Sequence, residues 1–267
     1  MSSPRRATLT SAGSVRDDDD LISWVTRTYG SLDVKALRRL LGQCNEFKEG
    51  DALLGIAAST DQERHIARLL LRNTTVGALV EHCIYKDRIQ KLADDAVDST
   101  ELSKMSSWRM GELVQWLLGG CDSASEAEKT AMLRGLPSDV IACVVKLCSN
   151  DELVAISQRF FAPLPNSKIG SKGYMGARIQ PNSPTDDPED VVMQVLSAWA
   201  YGVGDVILGT NPVSAHVDNV AAVERGLRDL LFSFGVQNNL PHCVLTHVDI
   251  ANEVERTVIS PPQIPFA

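Results

Sequence analysis

The sequence lacks a membrane-length apolar run, a cysteine pair with CxxC spacing and a cluster of basic residues. No apolar run reaches the ~18 residues that a transmembrane helix requires. Acidic residues outnumber basic ones by 34 to 26, and the formal net charge is −8. The electrostatic field of this net negative charge therefore repels the phosphate backbone of a nucleic acid. These absences argue against a membrane span and against a nucleic-acid partner.

The cysteines are scattered, and they predict reduced, buried side chains of an intracellular protein. A disulfide framework and a zinc site are both disfavoured by this spacing. The six positions are Cys44, Cys83, Cys121, Cys143, Cys148 and Cys243. The sequence also contains no G-x-S-x-G elbow, no H-E-x-x-H helix and no EF-hand loop. Gly202-Val-Gly204 precedes a predicted strand instead of a helix, so it indicates a tight turn and not a phosphate loop.

Three regions follow from the pattern of apolar residues along the 267-residue chain. Residues 1–20 are rich in Ser, Thr, Arg and Asp and predict a disordered tail. Residues 21–165 form the predicted helical region, because apolar residues recur there every three or four positions. Helix starts are indicated near Thr60, which is followed by Glu63, and at Pro137-Ser138-Asp139. Residues 166–267 form a second domain with a different pattern.

The second domain repeats a strand followed by a helix three times. The predicted strands lie in residues 177–180, 206–211 and 242–248, and the predicted helices in 188–199, 217–232 and 250–258. Apolar strands that alternate with helices indicate an α/β fold with parallel strands. A doubly wound sheet and an eightfold barrel both fit, and both bind ligands at the carboxyl ends of the strands.

Polar side chains occur where these strands end. Arg178 and Gln180 are two residues apart, so both point to the same face if the segment is a strand. Asn211 ends the second predicted strand, and His247 ends the third. A guanidinium, amides and an imidazole at one rim would suit a small polar ligand. The alternative is that Arg178 and Gln180 are edge-strand residues that face water.

Two other groups of ionisable residues have structural explanations. Asp186 and Asp187 could form a metal or acid–base pair, but carboxylates before Pro188 more often cap a helix. His242 and His247 are five residues apart, so on one strand they point to opposite faces and cannot share a metal. The sequence therefore predicts no protein ligand set for a metal.

Several segments, in the same order, resemble the large subunit of ethanolamine ammonia-lyase. The resemblance covers about residues 30 to 255. Upstream it includes Lys48–Ala58 and Lys146–Leu153. Downstream it includes Ala177-Arg-Ile-Gln-Pro-Asn182, Thr185-Asp-Asp-Pro188, Tyr201-Gly-Val-Gly-Asp205, Gly209-Thr-Asn-Pro-Val213 and Cys243-Val-Leu-Thr-His-Val248.

The resemblance implies a fold and an activity. The expected fold is a helical N-terminal region followed by the first three βα units of a TIM-type (β/α)8 barrel. The expected activity is adenosylcobalamin-dependent conversion of ethanolamine to acetaldehyde and ammonia, in a hetero-oligomer with a separate small subunit. The expected location is the cytoplasm, either free or inside a bacterial-type microcompartment.

The resemblance also implies site residues. Arg178, Gln180 and Asn211 match family positions that contact the substrate, and Pro212 matches a proline that lies against the cobalamin. A guanidinium repels an ammonium group, so Arg178 is assigned to the substrate hydroxyl and not to the amine. No catalytic side chain is assigned within this sequence.

The length departs from the family pattern. A complete barrel needs ~250 residues, whereas roughly 90 follow residue 175. The expectation is therefore a truncated large subunit that becomes active only when further strands complete it. The alternative is a non-catalytic remnant or assembly protein of the same family. Three parallel strands leave an exposed edge, so the chain alone is expected to be unstable or prone to aggregation.

Overall fold

The structure is a computed structural model that describes residues 15–82, 87–164 and 166–257. The chain divides into two compact units, Met1–Phe160 and Phe161–Ala267. Within the described residues the protein is mostly helical, with one small parallel sheet in the second unit. No helix in these ranges is long and apolar enough to cross a membrane.

The first unit is built from short helices, as the apolar periodicity predicts. Side-chain caps start many of them. For example, Thr60 accepts a hydrogen bond from the backbone N–H of Glu63 at the start of the fourth helix. The helices are α1 Leu21–Tyr29, α2 Val34–Gln43, α3 Glu49–Leu53, α4 Asp61–Asn73, α5 Val76–Glu81, α6 Arg88–Asp95, α7 Ser99–Met105, α8 Met110–Leu118, α9 Glu126–Arg134, α10 Ser138–Leu147 and α11 Asn150–Ser157. The helix starts predicted at Thr60 and at Pro137-Ser138 are confirmed.

One continuous apolar core holds the first unit together. Leu21, Leu70, Met105, Met110 and Leu113 are fully buried in it. Each such side chain contributes about 1.5–3 kcal/mol relative to an exposed position. The helical region therefore has a core made of its own residues.

The segment before α1 differs from the expected disordered tail. Residues 1–14 lie outside the described residues, but residues 15–20 are packed against the first unit. Asp19 is buried, and its carboxylate accepts hydrogen bonds from the Arg27 guanidinium and from the Arg16 backbone N–H. Asp20 caps α1 by accepting from the N–H groups of Ile22 and Ser23. Asp19 and Asp20 anchor the start of the helical unit because their carboxylates have local partners.

The cysteines mostly fill the core. Cys44, Cys121, Cys143 and Cys148 are buried, and none of the described cysteines forms a disulfide. Burial raises the pKa of the Cys44 and Cys143 thiols to about 12. Cys83 lies outside the described residues. Cys243 departs from the prediction of burial, because it is only half-buried.

The second unit contains three parallel strands in sequential order: β1 Ala177–Ile179, β2 Val206–Thr210 and β3 His242–Val244. The alternating helices are α12 Pro188–Ala200, α13 Val217–Ser233 and α14 Val248–Thr257. In the register, Ile179 lies beside Leu208, and Leu208 lies beside His242. The predicted strand–helix repeat is confirmed. β3 is shorter than predicted: it ends at Val244, and α14 begins at Val248.

The two faces of the sheet differ. Ile179, Val206, Leu208 and Val244 are buried in one cluster with apolar side chains of the three helices. The helix residues of this cluster include Val191 and Val195 of α12, Val220 and Leu227 of α13, and Val254 of α14. Because side chains alternate along a strand, Arg178, Ile207, Gly209 and Cys243 belong to the opposite face. We call it the helix-free face, because the described helices of the second unit pack on the other side. Sequential parallel strands with helices on one face are consistent with part of a TIM-type barrel.

Candidate functional site

The candidate site lies on the helix-free face and at the carboxyl ends of β1 and β2. Gln180 follows β1 directly, and Asn211 follows β2 directly. The amide Nε2 of Gln180 donates to Oδ1 of Asn211 over 3.4 Å. Both side chains are exposed, so they keep further donors and acceptors for a ligand. The structure thus brings together two of the predicted site residues.

Hydrogen bonds of Asn182 and Gln194 position the loop that follows β1 beside this pair. The backbone N–H of Asn211 donates to Oδ1 of Asn182 over 3.3 Å. Gln194, on α12, forms two hydrogen bonds with the backbone of Asn182, at 3.1 and 2.9 Å. The loop after β1 is therefore fastened both to its own helix and to the end of β2. Gln194 was not predicted from the sequence, because its partner lies twelve residues away across a loop.

Arg178 extends sideways across the sheet. Its side chain starts on β1, and Nη2 lies 3.7 Å from Sγ of Cys243 on β3. Between them lies Gly209 of β2, where an ideal Cβ would come within 2.5 Å of the guanidinium carbon. Arg178 therefore contacts the third strand, whereas Gln180 and Asn211 contact each other. Cys243 is a site neighbour that the sequence analysis missed.

Asp186 connects the loop after β1 to the loop after β2. Its carboxylate accepts hydrogen bonds from the backbone N–H groups of Val213 and Ser214, each over 2.7 Å. Asp186 is buried, with 7% exposure, and has a φ of 54°. Only Asp187 acts as the predicted helix cap, accepting from the N–H of Glu189. The sequence prediction is therefore corrected for Asp186, which binds the segment that follows Pro212.

The two histidines have different surroundings. His247 does not end a strand. It lies just before α14, and its exposed imidazole pairs with the Asp249 carboxylate at 3.2 Å. The prediction that His247 ends the third strand is wrong, because β3 ends at Val244. His242 lies in register with Leu208, on the helix-facing side, and burial together with Arg228 lowers the pKa of its imidazole.

The turn before β2 lies at the other end of the strand. Gly202 has a φ of 78°, and Asp205 has a φ of 48°. The Asp205 carboxylate accepts hydrogen bonds from the Ser167 hydroxyl and the Lys168 N–H, and these bonds lower the pKa of the carboxyl group. The turn therefore holds the segment before β1 in place. In the described ranges, no three His, Cys, Asp or Glu side chains form a group that could hold a metal ion.

Comparison with known proteins identifies the family. The family model described as "Ethanolamine ammonia lyase large subunit (EutB)" matches residues 32–266. The chain belongs to the ethanolamine ammonia-lyase large-subunit family. The match includes α2 to α11 and all three strands, together with Arg178, Gln180 and Asn211.

Two curated relatives show how much of a large subunit the chain represents. The ethanolamine ammonia-lyase large subunit of Escherichia coli strain K12 is 31% identical over 236 residues, which cover 86% of this chain and 51% of the relative. The large subunit of Salmonella typhimurium strain LT2 is 30% identical over the same length and with the same coverage. The chain spans about half the length of these relatives.

Proposed function

We propose that this member of the ethanolamine ammonia-lyase family forms the hydroxyl-binding part of an ethanolamine site. The observation that carries the proposal is the pairing of Gln180 with Asn211 at the carboxyl ends of adjacent parallel strands. In α/β folds ligands bind at this edge. The three strands are then consecutive strands of a TIM-type barrel within residues 166–267, and their helix-free face is the barrel interior.

The chemistry of the side chains supports this assignment. Arg178 carries only donors and a fixed positive charge, so it suits the lone pairs of a hydroxyl oxygen. An ammonium group about 4 Å from the guanidinium would be opposed by roughly 1 to 4 kcal/mol, depending on the local dielectric. Gln180 and Asn211 offer amide oxygens as well as N–H donors. The substrate amine is therefore directed away from Arg178 and towards acceptors.

The same edge fits adenosylcobalamin, which we propose as the cofactor. Pro212 is half-buried after β2, Val213 beside it is 73% exposed, and Leu245 after β3 is 41% exposed. These side chains would form an apolar surface for one face of a corrin ring. When bound, the cofactor would supply the radical chemistry of the deamination. The residues of this chain would hold the substrate, orient it and exclude water.

The whole activity that we propose is deamination of ethanolamine to acetaldehyde and ammonia, together with a small subunit of the family. The test is to express the full chain with and without the small subunit, add adenosylcobalamin and ethanolamine, and assay acetaldehyde and ethanolamine binding. Arg178→Ala is expected to weaken ethanolamine binding about 10- to 150-fold, the loss of one charge-assisted hydrogen bond of about 1.5–3 kcal/mol.

The control is Arg225→Ala, which removes an exposed arginine from α13, on the helix side of the sheet. This variant is expected to bind ethanolamine as the wild type does. Equal binding by the Arg178→Ala variant and the wild type would refute the substrate assignment.

A second candidate is a non-catalytic assembly protein of the same family. In the described residues the outer edges of β1 and β3 are unpaired, and an open strand edge can associate with another chain. Soluble, folded protein that binds the small subunit but produces no acetaldehyde would support this second candidate. Acetaldehyde above background would contradict it.

A further inference from the structure

We propose that Gly209 and Cys243 are positioning residues for Arg178. Gly209 provides the gap through which the arginine side chain crosses β2, and Cys243 holds the guanidinium at the far side of that gap. The proposal rests on the proposed function in one respect, because it takes Arg178 as a substrate-binding residue. It adds the two residues that determine where the donors of Arg178 lie.

The strand register places the three residues on one face of the sheet, along a diagonal across the three strands. Arg178 of β1 lies beside Ile207 of β2, and Gly209 is two residues further along the same face. Gly209 in turn lies beside Cys243 of β3. Neighbouring strands are about 4.8 Å apart, so β1 and β3 are separated by roughly 10 Å. A long side chain is needed to reach the third strand, and it must pass directly over the second.

A glycine is required at position 209 because the Arg178 side chain passes so close to the backbone there. It is not required by the backbone conformation. An ideal Cβ at this position would lie 2.5 Å from Cζ and 2.7 Å from Nε of Arg178. Real Cβ atoms essentially never approach other atoms within 3.0 Å. The φ angle of Gly209 is not in the left-handed region, so alanine can adopt the same backbone. A methyl group at residue 209 would therefore displace the guanidinium while leaving the strand in place.

Cys243 contacts the end of the Arg178 side chain. Nη2 of Arg178 donates to the thiol sulfur over 3.7 Å, across 65 residues of sequence. A thiol is small and polarizable, and its sulfur is a weak acceptor. It can therefore orient the guanidinium without neutralising its charge. The other N–H donors of Arg178 remain available to a hydroxyl oxygen.

The first test compares Gly209→Ala, Arg178→Ala and the double variant in the full chain assembled with the small subunit and adenosylcobalamin. Gly209→Ala is expected to weaken ethanolamine binding at least 10-fold, and the double variant is expected to bind no more weakly than Arg178→Ala alone. The thermal unfolding midpoint of Gly209→Ala should equal or exceed that of the wild type, because alanine suits a strand better than glycine. Additive losses in the double variant would overturn the proposal, since the two residues would then act independently.

Variants at Cys243 provide a second test, in which Gly209 is left unchanged. Cys243→Ser keeps a small acceptor and is expected to retain binding, whereas Cys243→Leu removes the acceptor and is expected to weaken binding in the same direction as Gly209→Ala. Equal binding by the Ser and Leu variants would overturn the role of the thiol.

The last measurement does not depend on ethanolamine. In the full chain labelled with 15N-arginine, the Nε–Hε resonance of Arg178 is assigned by its loss in Arg178→Ala. Gly209→Ala and Cys243→Leu are expected to shift this resonance, and an unchanged resonance would overturn the positioning proposal. If the resonance shifts as expected but Arg178→Ala binds ethanolamine normally, the positioning proposal stands and the proposed function fails.

Discussion

Two adjacent carboxylates, Asp186 and Asp187, have different roles in the structure. Asp187 accepts the first N–H of α12, which is a bond within its own turn. Asp186 accepts two N–H groups from residues 27 and 28 positions away. The second interaction holds the loop that carries Asn211 and Pro212. Of these two adjacent aspartates, Asp187 thus caps its own helix, and Asp186 connects two loops that are distant in the sequence.

Replacement of Asp186 by Asn is expected to lower the free energy of unfolding by about 1.5–3 kcal/mol, because one charge-assisted bond is lost and a second is weakened. Asn adopts a positive φ as readily as Asp, so the backbone should not contribute to the loss. Asp187→Asn is the matched control and should change stability by less than about 0.5 kcal/mol, since Asn and Asp are equally good caps. Urea unfolding of both variants measures the difference. Equal losses would mean that Asp186 has no special role.

At the scale of single elements, α1 illustrates how a short helix is held at its start. Asp20 caps its first turn, and Asp19 pairs with Arg27 in its last turn. The hydrogen bonds from Arg27 hold the pKa of the Asp19 carboxyl below its ordinary value of 3.8, against the effect of burial. A carboxyl group with a lowered pKa stabilises the folded state above its ordinary pKa. That contribution is lost as the pH falls through the lowered pKa.

Asp19→Asn is expected to reduce the thermal unfolding midpoint at pH 7 by roughly 2–4 °C, which corresponds to about 1 kcal/mol for a partly exposed pair. The difference from the wild type should shrink as the pH falls below 3.8, because the Asp19 carboxyl group of the unfolded chain is then protonated, and it should disappear only below the lowered pKa of the folded state. Scanning calorimetry from pH 7 to pH 3 measures both effects. Asp17→Asn, at an exposed position in the same acidic run, is the control and should follow the wild type at every pH. A constant difference across this range would rule out the charge of Asp19 as the cause.

At the scale of the whole molecule, each unit has its own core. The buried cluster of the helical unit runs from Leu21 to Cys148, and that of the sheet-bearing unit runs from Ile179 to Val254. In the described residues, β1 and β3 each pair with β2 only. Their outer edges therefore carry unpaired backbone groups, which are a site for association with another strand.

We expect residues 15–160, expressed alone, to fold cooperatively and remain monomeric, because their core is complete. Residues 161–257, expressed alone, are expected to aggregate through the open strand edges and the helix-free face. Circular dichroism melting and analytical ultracentrifugation of the two fragments provide the comparison. A monomeric, cooperatively unfolding sheet fragment would contradict this expectation.

The sequence by itself determined the helices, several of their caps and the strand–helix repeat. These features depend on apolar periodicity and on hydrogen bonds within one turn, so they involve neighbours in the chain. The spacing of Arg178 and Gln180 also predicted that both side chains point to one face. The family resemblance rested on the same segments, and the comparison with known proteins confirms it.

Only the tertiary structure decided which of these residues meet. Arg178 crosses Gly209 to reach Cys243, 65 residues away, because the parallel register places the three residues on one face of neighbouring strands. Asp186 binds a loop instead of a helix end, and His247 starts a helix instead of ending a strand. Such contacts depend on how neighbouring strands and loops align in space. Local periodicity carries no information about that alignment, since it records only which face of its own element a side chain occupies.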